Sequence, residues 1–235
     1  MTKRPDDLGG ATRPDEIRSR VEDLRRRLEQ ACRSSGRDPD EVRVVAAAKT
    51  RSAEQVQAVV DLGITDIGEN RVQELVSKRT RVSGATWHLI GPLQSNKVAK
   101  VVGKVELIHS IDSVALANKV AERARSLGVV QAVLLEVNIS SDPSKHGFEV
   151  AASAEAAGEI AAMPGLALRG LMAIPARDDM ASERFAELRR IRDELASRGL
   201  SLPELSMGMS ADLEAAVAEG ATLVRPGTAL FGPRG

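Results

Sequence analysis

The chain has 235 residues, a length that suits one α/β barrel or two smaller domains. Its 33 basic and 33 acidic side chains cancel, which argues against nucleic acid as a partner, and its lack of tyrosine excludes any mechanism that needs a tyrosine hydroxyl. No apolar run is long enough to cross a membrane, the N-terminus shows no secretory signal, and Cys32, the one cysteine, forms no internal disulfide. We therefore expect a cytoplasmic protein without a membrane segment.

The predicted elements start with a disordered tail over residues 1–13 and a helix over 15–33, in which apolar residues recur at helical spacing. Short apolar runs then alternate with amphipathic segments to the end of the chain. The predicted strands span residues 42–48, 64–67, 86–90, 107–109, 129–138, 168–173, 204–207 and 222–225. The predicted helices between them span residues 54–62, 71–78, 96–102, 113–126, 149–162, 182–198 and 211–219.

Eight strands that alternate with helices predict a parallel sheet with the helices outside it. At this chain length the pattern matches an α/β fold of the (β/α)8 TIM barrel type. Seven helices follow strands, so the leading helix is expected to take the place of the eighth. No change in composition marks a linker, which predicts one domain over residues 14–235. A doubly wound open sheet is the alternative.

Functional residues of such a barrel lie at the C-terminal ends of its strands. Lys49 follows the first strand, where a partly desolvated lysine can act as a Schiff-base nucleophile; a solvated lysine is the alternative. Asn70 follows the second strand and either caps the next helix or faces a ligand. On the third strand Trp87 and His88 alternate, so one of them points inward. The three histidines and Cys32 lack metal-ligand spacing, so no metal is predicted.

The loops after the seventh and eighth strands are the usual phosphate-binding place of this fold. Here they read Ser206-Met207-Gly208-Met209-Ser210 and Arg225-Pro226-Gly227-Thr228. Glycine permits close backbone approach, amide N–H groups can face an anion, and a helix N-terminus adds a favourable dipole. Ser210 also suits an N-cap and Gly227 an ordinary turn. Together with Lys49, the loops predict an imine-forming lysine beside a phosphorylated ligand, which fits pyridoxal phosphate; a phosphosugar Schiff-base aldolase is the competing hypothesis.

Seven stretches, in order from about residue 15 to the end, carry a resemblance to a known family. The longest and most specific is Trp87-His88-Leu89-Ile90-Gly91-Pro92-Leu93-Gln94-Ser95-Asn96-Lys97. The others are Ala48-Lys49-Thr50, Gly68-Glu69-Asn70, Lys145-His146-Gly147, Gly170-Leu171-Met172-Ala173-Ile174, Leu205-Ser206-Met207-Gly208-Met209-Ser210 and Arg225-Pro226-Gly227-Thr228-Ala229. By these stretches the chain is identified as a member of the pyridoxal phosphate homeostasis protein (YggS/PROSC) family. That family's fold resembles the N-terminal barrel domain of alanine racemase, PLP fold type III.

The resemblance implies roles for individual residues. Lys49 matches the lysine that forms the internal aldimine with pyridoxal 5'-phosphate, Asn70 matches a residue beside the pyridine ring, and Arg225 matches the arginine that faces the pyridine nitrogen. The phosphate-binding positions are matched by Ser210, Gly227 and Thr228. The two remaining cofactor-binding candidates, which lie in matching motifs, are His88 and Ser206.

Pro226 departs from the family pattern, which leads us to expect an aliphatic residue such as isoleucine or valine at this position. Proline has no backbone N–H, so one potential phosphate donor is missing. Gly227 and Thr228 keep theirs, and we expect only a modest loss of phosphate binding.

The arginine expected at the pyridine nitrogen has consequences for function. Arginine only donates hydrogen bonds, so the nitrogen facing Arg225 must accept and stay unprotonated, which makes the ring a poorer electron sink. A racemase on this scaffold uses a lysine and a tyrosine as its two bases, and this chain has no tyrosine. We therefore expect a protein that holds pyridoxal phosphate for homeostasis, can pass it to apo-enzymes, and is not an efficient enzyme; a racemase-like enzyme is the alternative. The shortage of aromatic anchors favours a monomer.

Overall fold

The computed structural model describes residues 14–140, 142, 145–176 and 180–233; the tail predicted over residues 1–13 lies outside this part. The strands are β1 Arg43–Val44, β2 Ala46–Ala47, β3 Asp66–Glu69, β4 Thr86–Leu89, β5 Leu107–Ile111, β6 Gln131–Asn138, β7 Phe148–Glu149, β8 Leu166–Met172, β9 Glu204–Ser206 and β10 Leu223–Val224. The α-helices are α1 Pro14–Ser34, α2 Ala53–Asp61, α3 Val72–Arg79, α4 Val114–Ser126, α5 Val150–Ala161, α6 Ala181–Ser197, α7 Leu213–Ala218 and α8 Thr228–Phe231. Two 3₁₀ helices span Pro39–Glu41 and Ser95–Lys100.

The strands form one closed parallel ring. Their order is β1-β10-β9-β8-β6-β5-β4-β3-β2, and the short β7 pairs beside β6, off this path. β1 pairs with β10 and β2 pairs with β3, and only Val45 separates β1 from β2. These two pieces are therefore one strand that changes partner where the barrel closes. The predicted (β/α)8 barrel is confirmed, and the alternative of an open sheet is wrong.

Helix α1 covers the seam where the barrel closes. Its apolar residues at helical spacing are all buried: Ile17, Val21, Leu24 and Leu28. The helix contacts α2, α7 and α8. Because α8 has only four residues and covers little of the sheet, α1 takes the place of the eighth outer helix, as the sequence predicts.

Two predicted boundaries near the first half of the barrel are wrong. The strand predicted over residues 64–67 starts two residues later and includes Glu69, a charged residue that stays in the wall because Lys78 pairs with it. The helix predicted over residues 96–102 is instead the 3₁₀ helix Ser95–Lys100, a short segment that ends before Gly103, whose φ is +75°.

The helix predicted from residue 211 begins at Leu213. Its N-cap is Asp212, and the Asp212 carboxylate accepts a hydrogen bond from Met209 N at 2.6 Å. The carboxylate thus ties the loop together before the first helical turn. The interpretation of Ser210 as the N-cap is wrong, and its hydroxyl is used elsewhere.

The barrel interior combines an apolar cluster with a set of polar side chains. The apolar cluster consists of Val45, Ile90, Leu107, Leu134, Met172 and Leu223. The interior polar residues His88, His109 and Ser206 are fully buried and contact one another. Branched apolar residues usually fill a TIM barrel, so these polar atoms require hydrogen-bond partners inside it. Trp87 packs outside, between the sheet and the helices, which confirms its alternation with His88.

In the part of the chain that the structure describes, no helix combines the length and the apolar character needed to cross a membrane.

Candidate functional site

A cavity of about 740 Å³ opens at the C-terminal ends of the strands. It is lined by Ala47, Lys49, Arg51, Pro175, Ala176, Ala181, Ser182, Met209, Ser210, Ala211, Asp212, Ala215, Arg225, Gly227 and Thr228. Parallel strands end on one rim of the barrel, and this is why residues from distant parts of the sequence meet here. The cavity wall contains five of the eight predicted site residues: Lys49, Ser210, Arg225, Gly227 and Thr228. The other three, Asn70, His88 and Ser206, lie outside the wall.

Lys49 is an exposed amine at the cavity. This exposure favours the alternative of a solvated lysine over a partly desolvated one. What is fixed is the backbone around it. Thr50 is the one non-glycine residue in the described chain with a positive φ, +64°, and its N–H donates to the Glu74 carboxylate at 2.9 Å.

A buried ion cluster behind this segment holds the turn in place. Lys78 donates to Glu69 at 2.6 Å, to Glu74 at 3.1 Å and to the carbonyl of Ala48 at 2.9 Å. The cluster thereby binds the peptide groups on both sides of Lys49. Sequence reasoning missed it, because Lys78 and Glu74 look like ordinary surface residues of an amphipathic helix.

The loops after β9 and β10 form an amide cradle. The N–H groups of Gly227 and Ala229 converge on one oxygen, Ser210 Oγ, at 3.2 and 3.0 Å. Two amides aimed at one acceptor are the arrangement that binds an anion oxygen. The neighbouring helices α7 and α8 have only six and four residues, so the predicted contribution of a helix dipole is small. The two convergent amides are therefore the feature of these loops that best suits an anion.

The charges around the cavity favour an anion. Its wall has three cationic side chains, Lys49, Arg51 and Arg225, and one acidic side chain, Asp212. Arg51 is held by the carbonyl of Gly232 at 2.6 Å. Because Asp212 also accepts the Met209 N–H, its charge is partly satisfied within its own loop.

Arg225 is a buried cation held by two acceptors. Its Nη2 donates to the Ala173 carbonyl at 2.9 Å and its Nη1 to Ser206 Oγ. Burial lowers the pKa of Arg225 to about 10, and the charges of Glu136 and Asp212 oppose the shift, so the group remains cationic at neutral pH. Ser206 therefore acts on the cavity through Arg225.

The two other residues outside the wall differ in position. His88 lies deeper in the barrel, with its ring nitrogens 3.1 Å from His109 and 2.8 Å from Asp66. Asn70 is half-buried at the end of β3, and Arg71, not Asn70, is the N-cap of α3. The prediction that Asn70 caps this helix is therefore wrong. The backbone of Asn70 is approached so closely by Gly91 that a Cβ there would lie 2.5 Å from the Asn70 carbonyl oxygen.

A second buried carboxyl, Glu136, lies on β6 and was not singled out from the sequence. Burial raises the pKa of Glu136 to about 7; Asp112 adds to the shift, and His146 and Arg225 oppose it. The imidazole of His146 is 3.5 Å from the Asp112 carboxylate. Among the described residues no group of three or more His, Cys, Asp or Glu side chains is arranged to hold a metal ion.

The fold and the cavity define a class of protein: a (β/α)8 barrel with an exposed lysine in a predominantly cationic pocket at the C-terminal ends of its strands. Residues 18–235 match the family described as alanine racemase, N-terminal domain. The pyridoxal phosphate homeostasis protein of Pseudomonas aeruginosa is 41% identical over 214 residues, which cover 88% of this chain and 91% of that protein. The chain belongs to the alanine racemase N-terminal domain family and, within it, to the pyridoxal phosphate homeostasis proteins, as the sequence motifs predict.

Two solved structures extend this likeness. PipY of Synechococcus elongatus, with PLP bound, superimposes with a TM-score of 0.80 at 36% identity and covers 92% of this chain and 100% of that one. An alanine racemase of Clostridium difficile gives a TM-score of 0.76 at 16% identity and covers 94% of this chain and 57% of the racemase. The second likeness concerns the fold alone.

Proposed function

We propose that this protein binds pyridoxal phosphate reversibly through Lys49 and serves its homeostasis, without efficient catalysis of its own. The observation that carries the proposal is one cavity whose wall contains both an exposed primary amine, Lys49, and Ser210, on whose hydroxyl two backbone amides converge. The names of the homeostasis relatives, and the PipY structure with PLP bound, support the same ligand.

The residues present fit this cofactor. Pyridoxal phosphate supplies an aldehyde that condenses reversibly with a primary amine, and Lys49 is the one lysine in the described cavity wall. Ser210, Gly227 and Thr228 would hold the phosphate. The amides of Gly227 and Ala229 and the hydroxyl of Ser210 would serve as hydrogen-bond donors to it. Pro226 leaves this cradle intact, because the converging amides belong to residues 227 and 229.

The remaining site residues orient the ring. Arg225 offers only donors, so a pyridine nitrogen facing it would accept a hydrogen bond and stay unprotonated. Asn70 would lie beside the ring, and His88 and Ser206 would act on the ring through Arg225. An unprotonated pyridine ring is a poorer electron sink than a protonated one. The described wall offers one carboxylate, Asp212, in place of a second base, and this supports a holding protein over a racemase.

The test is to load the protein with pyridoxal phosphate, reduce it with borohydride and map the modified peptide by mass spectrometry. The adduct is expected on Lys49, and Lys49→Ala should abolish both the adduct and the near-visible absorbance. Lys119→Ala, at an exposed position on α4, is the matched control and should retain both. An adduct on another lysine would overturn the assignment.

A separate assay addresses catalysis. The loaded protein is incubated with single-enantiomer alanine, and the enantiomer ratio is followed over time. We expect no scrambling at enzyme-like rates. Rapid scrambling would replace the proposed role with that of a racemase.

In this role the protein is a monomer that hands pyridoxal phosphate to apo-enzymes by exchange with their lysines. None of the large apolar side chains exposed on the described surface is aromatic, whereas tyrosine and tryptophan dominate binding hot spots. Sedimentation should give a mass near 25.0 kDa.

The loaded protein should activate an apo-enzyme even in the presence of an amine scavenger that consumes free aldehyde. If the scavenger abolishes all activation of the apo-enzyme, direct transfer is contradicted.

A further inference from the structure

A continuous series of hydrogen bonds crosses the barrel interior from its N-terminal end to the cavity. Asp66 on β3 contacts His88 Nε2 at 2.8 Å, and His88 Nδ1 contacts His109 Nε2 at 3.1 Å. His109 Nδ1 lies 2.8 Å from Ser206 Oγ, which also accepts from Arg225. The series follows the neighbouring strands β3, β4 and β5, crosses the interior to β9, and ends beside β10.

The two ends of this series have fixed chemical roles. Arg225 can only donate, so Ser206 Oγ accepts a hydrogen bond from it. The Ser206 hydroxyl then donates its O–H to His109 Nδ1. A neutral His109 then carries its proton on Nε2 and donates to His88 Nδ1, and His88 in turn donates from Nε2. That last bond ends on Asp66, which as a carboxylate can only accept. Reasoning from either end gives the same two tautomers.

Protonating a histidine would break this agreement. A cationic His88 donates from both nitrogens, so His109 Nε2 must accept and His109 Nδ1 must donate to Ser206. Ser206 Oγ then accepts two hydrogen bonds, and its O–H loses its partner in a fully buried place, which disfavours this state.

The electrostatic surroundings support the neutral assignment. Burial lowers the pKa of His109 well below 6.5, and the positive charges of Arg225 and Arg43 act in the same direction. Burial raises the pKa of Asp66, but the hydrogen bond from His88 and the charge of Arg43 act against it. The net pKa is lowered, so the carboxylate stays ionised. Arg43 lies 3.7 Å from Asp66. Glu136 and Asp212 are the acidic groups that act on Arg225 at the far end.

We propose that Asp66, His88, His109 and Ser206 are positioning residues that form a hydrogen-bond relay of fixed direction and hold the Arg225 guanidinium in place beside the cavity. The relay cannot reverse, because neither end can exchange its role. Its importance for the ligand rests on the proposed function, in which an unprotonated pyridine nitrogen faces Arg225. The tautomers themselves do not depend on any ligand.

The first test uses the protein without a ligand. Histidines labelled with ¹⁵N are examined at pH 7 by long-range proton–nitrogen NMR, with assignments from single His→Gln variants. His88 and His109 should both be neutral with the proton on Nε2. His146, 60% exposed and outside the relay, is the internal control for the assignment. An Nδ1–H tautomer or an imidazolium at His88 or His109 would overturn the relay, whether or not pyridoxal phosphate binds.

The second test measures coupling to the cavity. Asp66→Asn removes the terminal charge while keeping an acceptor oxygen, and Glu204→Gln is the matched control, because Glu204 also binds Arg43, at 2.9 Å, but is not in the relay. Asp66→Asn should shift the ring nitrogens of both His88 and His109 and weaken pyridoxal phosphate binding about tenfold, or about 1.4 kcal/mol. Glu204→Gln should leave both readouts unchanged. Equal effects of the two variants, or no effect of Asp66→Asn, would contradict the coupling. If the wild-type protein does not bind pyridoxal phosphate at all, only the proposed function is contradicted.

Discussion

Lys78 is a residue whose role comes entirely from its surroundings. It is a lysine with a 7% exposed surface, behind the strand that ends at Lys49. The three donors of its ammonium group go to Ala48, Glu69 and Glu74. The side chain of Glu69 is fully buried, and its second oxygen, Oε2, has no hydrogen-bond partner. The paired charges are therefore sensitive to the loss of either member.

Replacing Lys78 with methionine should destabilise the protein by about 3–5 kcal/mol, because it leaves the Glu69 carboxyl buried without its cation. Urea unfolding measures the difference. Arg81→Met is the matched control, since Arg81 pairs with Glu54 on the exposed surface, where an ion pair contributes below about 1 kcal/mol. Similar losses for the two variants would contradict a special role of the buried cluster.

Glu136 predicts a dependence of stability on pH. Its folded-state pKa is about 7, raised mainly by burial from 4.5. The folded protein therefore binds this proton more tightly than the unfolded chain, and stability falls as the pH rises from about 4.5 to 7. The loss approaches about 3 kcal/mol above pH 7. Glu136→Gln should remove it, so that the variant is more stable than the wild type at pH 8 and similar to it near pH 4.5.

Urea midpoints at the two pH values measure this effect. The control is Glu159→Gln, on the exposed side of α5, which should show the wild-type dependence. A Glu136→Gln variant whose stability follows pH as the wild type does would show that another group is responsible.

At the scale of elements, the packing of β8 against β9 depends on a missing side chain. A Cβ on Gly170 would lie 1.8 Å from the carbonyl oxygen of Glu204, a backbone atom of the neighbouring strand. The strands cannot pair in this register around a larger residue. Gly158, in the middle of α5, has open space around its missing Cβ instead.

These two glycines predict opposite effects of the same substitution. Gly170→Ala should destabilise by about 3 kcal/mol or more, because backbone atoms must move apart. Gly158→Ala should stabilise by about 0.5–1 kcal/mol, because alanine is the better helix former. Thermal unfolding of both variants measures the signs; a stable Gly170→Ala protein would contradict the close approach of β8 and β9.

At the scale of the whole molecule, the barrel closes where the first strand pairs with both β10 and β3. Helix α1 lies over this closure and contacts elements from both ends of the chain. Damage to α1 is therefore expected to weaken the whole ring and not only the N-terminal region.

Leu24→Ala, in the buried face of α1, should lower stability by about 2–5 kcal/mol. The urea midpoint followed by Trp87 fluorescence on β4 should fall together with the one followed by far-UV circular dichroism. Arg18→Ala, on the exposed face of α1, is the control and should stay within about 0.5 kcal/mol of the wild type. A fluorescence midpoint unaffected by Leu24→Ala would show that α1 unfolds independently.

The residues at the rim of the barrel were predictable from sequence because the order of strands and helices determines which residues lie there. Parallel strands place their C-terminal ends together, so Lys49, Arg225 and Gly227 could be assigned to one cavity from strand order alone. The position of α1 followed from counting helices against strands.

The interior was not predictable in the same way. The contact between His109 and Ser206 joins strands that are not neighbours, so it depends on how the barrel tilts and closes. The pairing of Lys78 with Glu69 was not predicted, because charged residues in a sequence are normally expected at the solvent-exposed surface. The sequence predicts that one of Trp87 and His88 points inward, but it identifies neither which one nor its partners.

The placement of nucleophiles in this barrel decides which of them an aldehyde meets. Cys32, the one thiol, is buried in α1, and burial raises its pKa, so little thiolate forms. The amine of Lys78 lies behind the cavity wall, is buried, and donates to two carboxylates and a backbone carbonyl, so it is out of reach of an aldehyde in the cavity. In the described wall Lys49 is the accessible amine. The barrel thus achieves chemoselectivity by withholding the competing nucleophiles, while the reacting lysine itself stays ordinary.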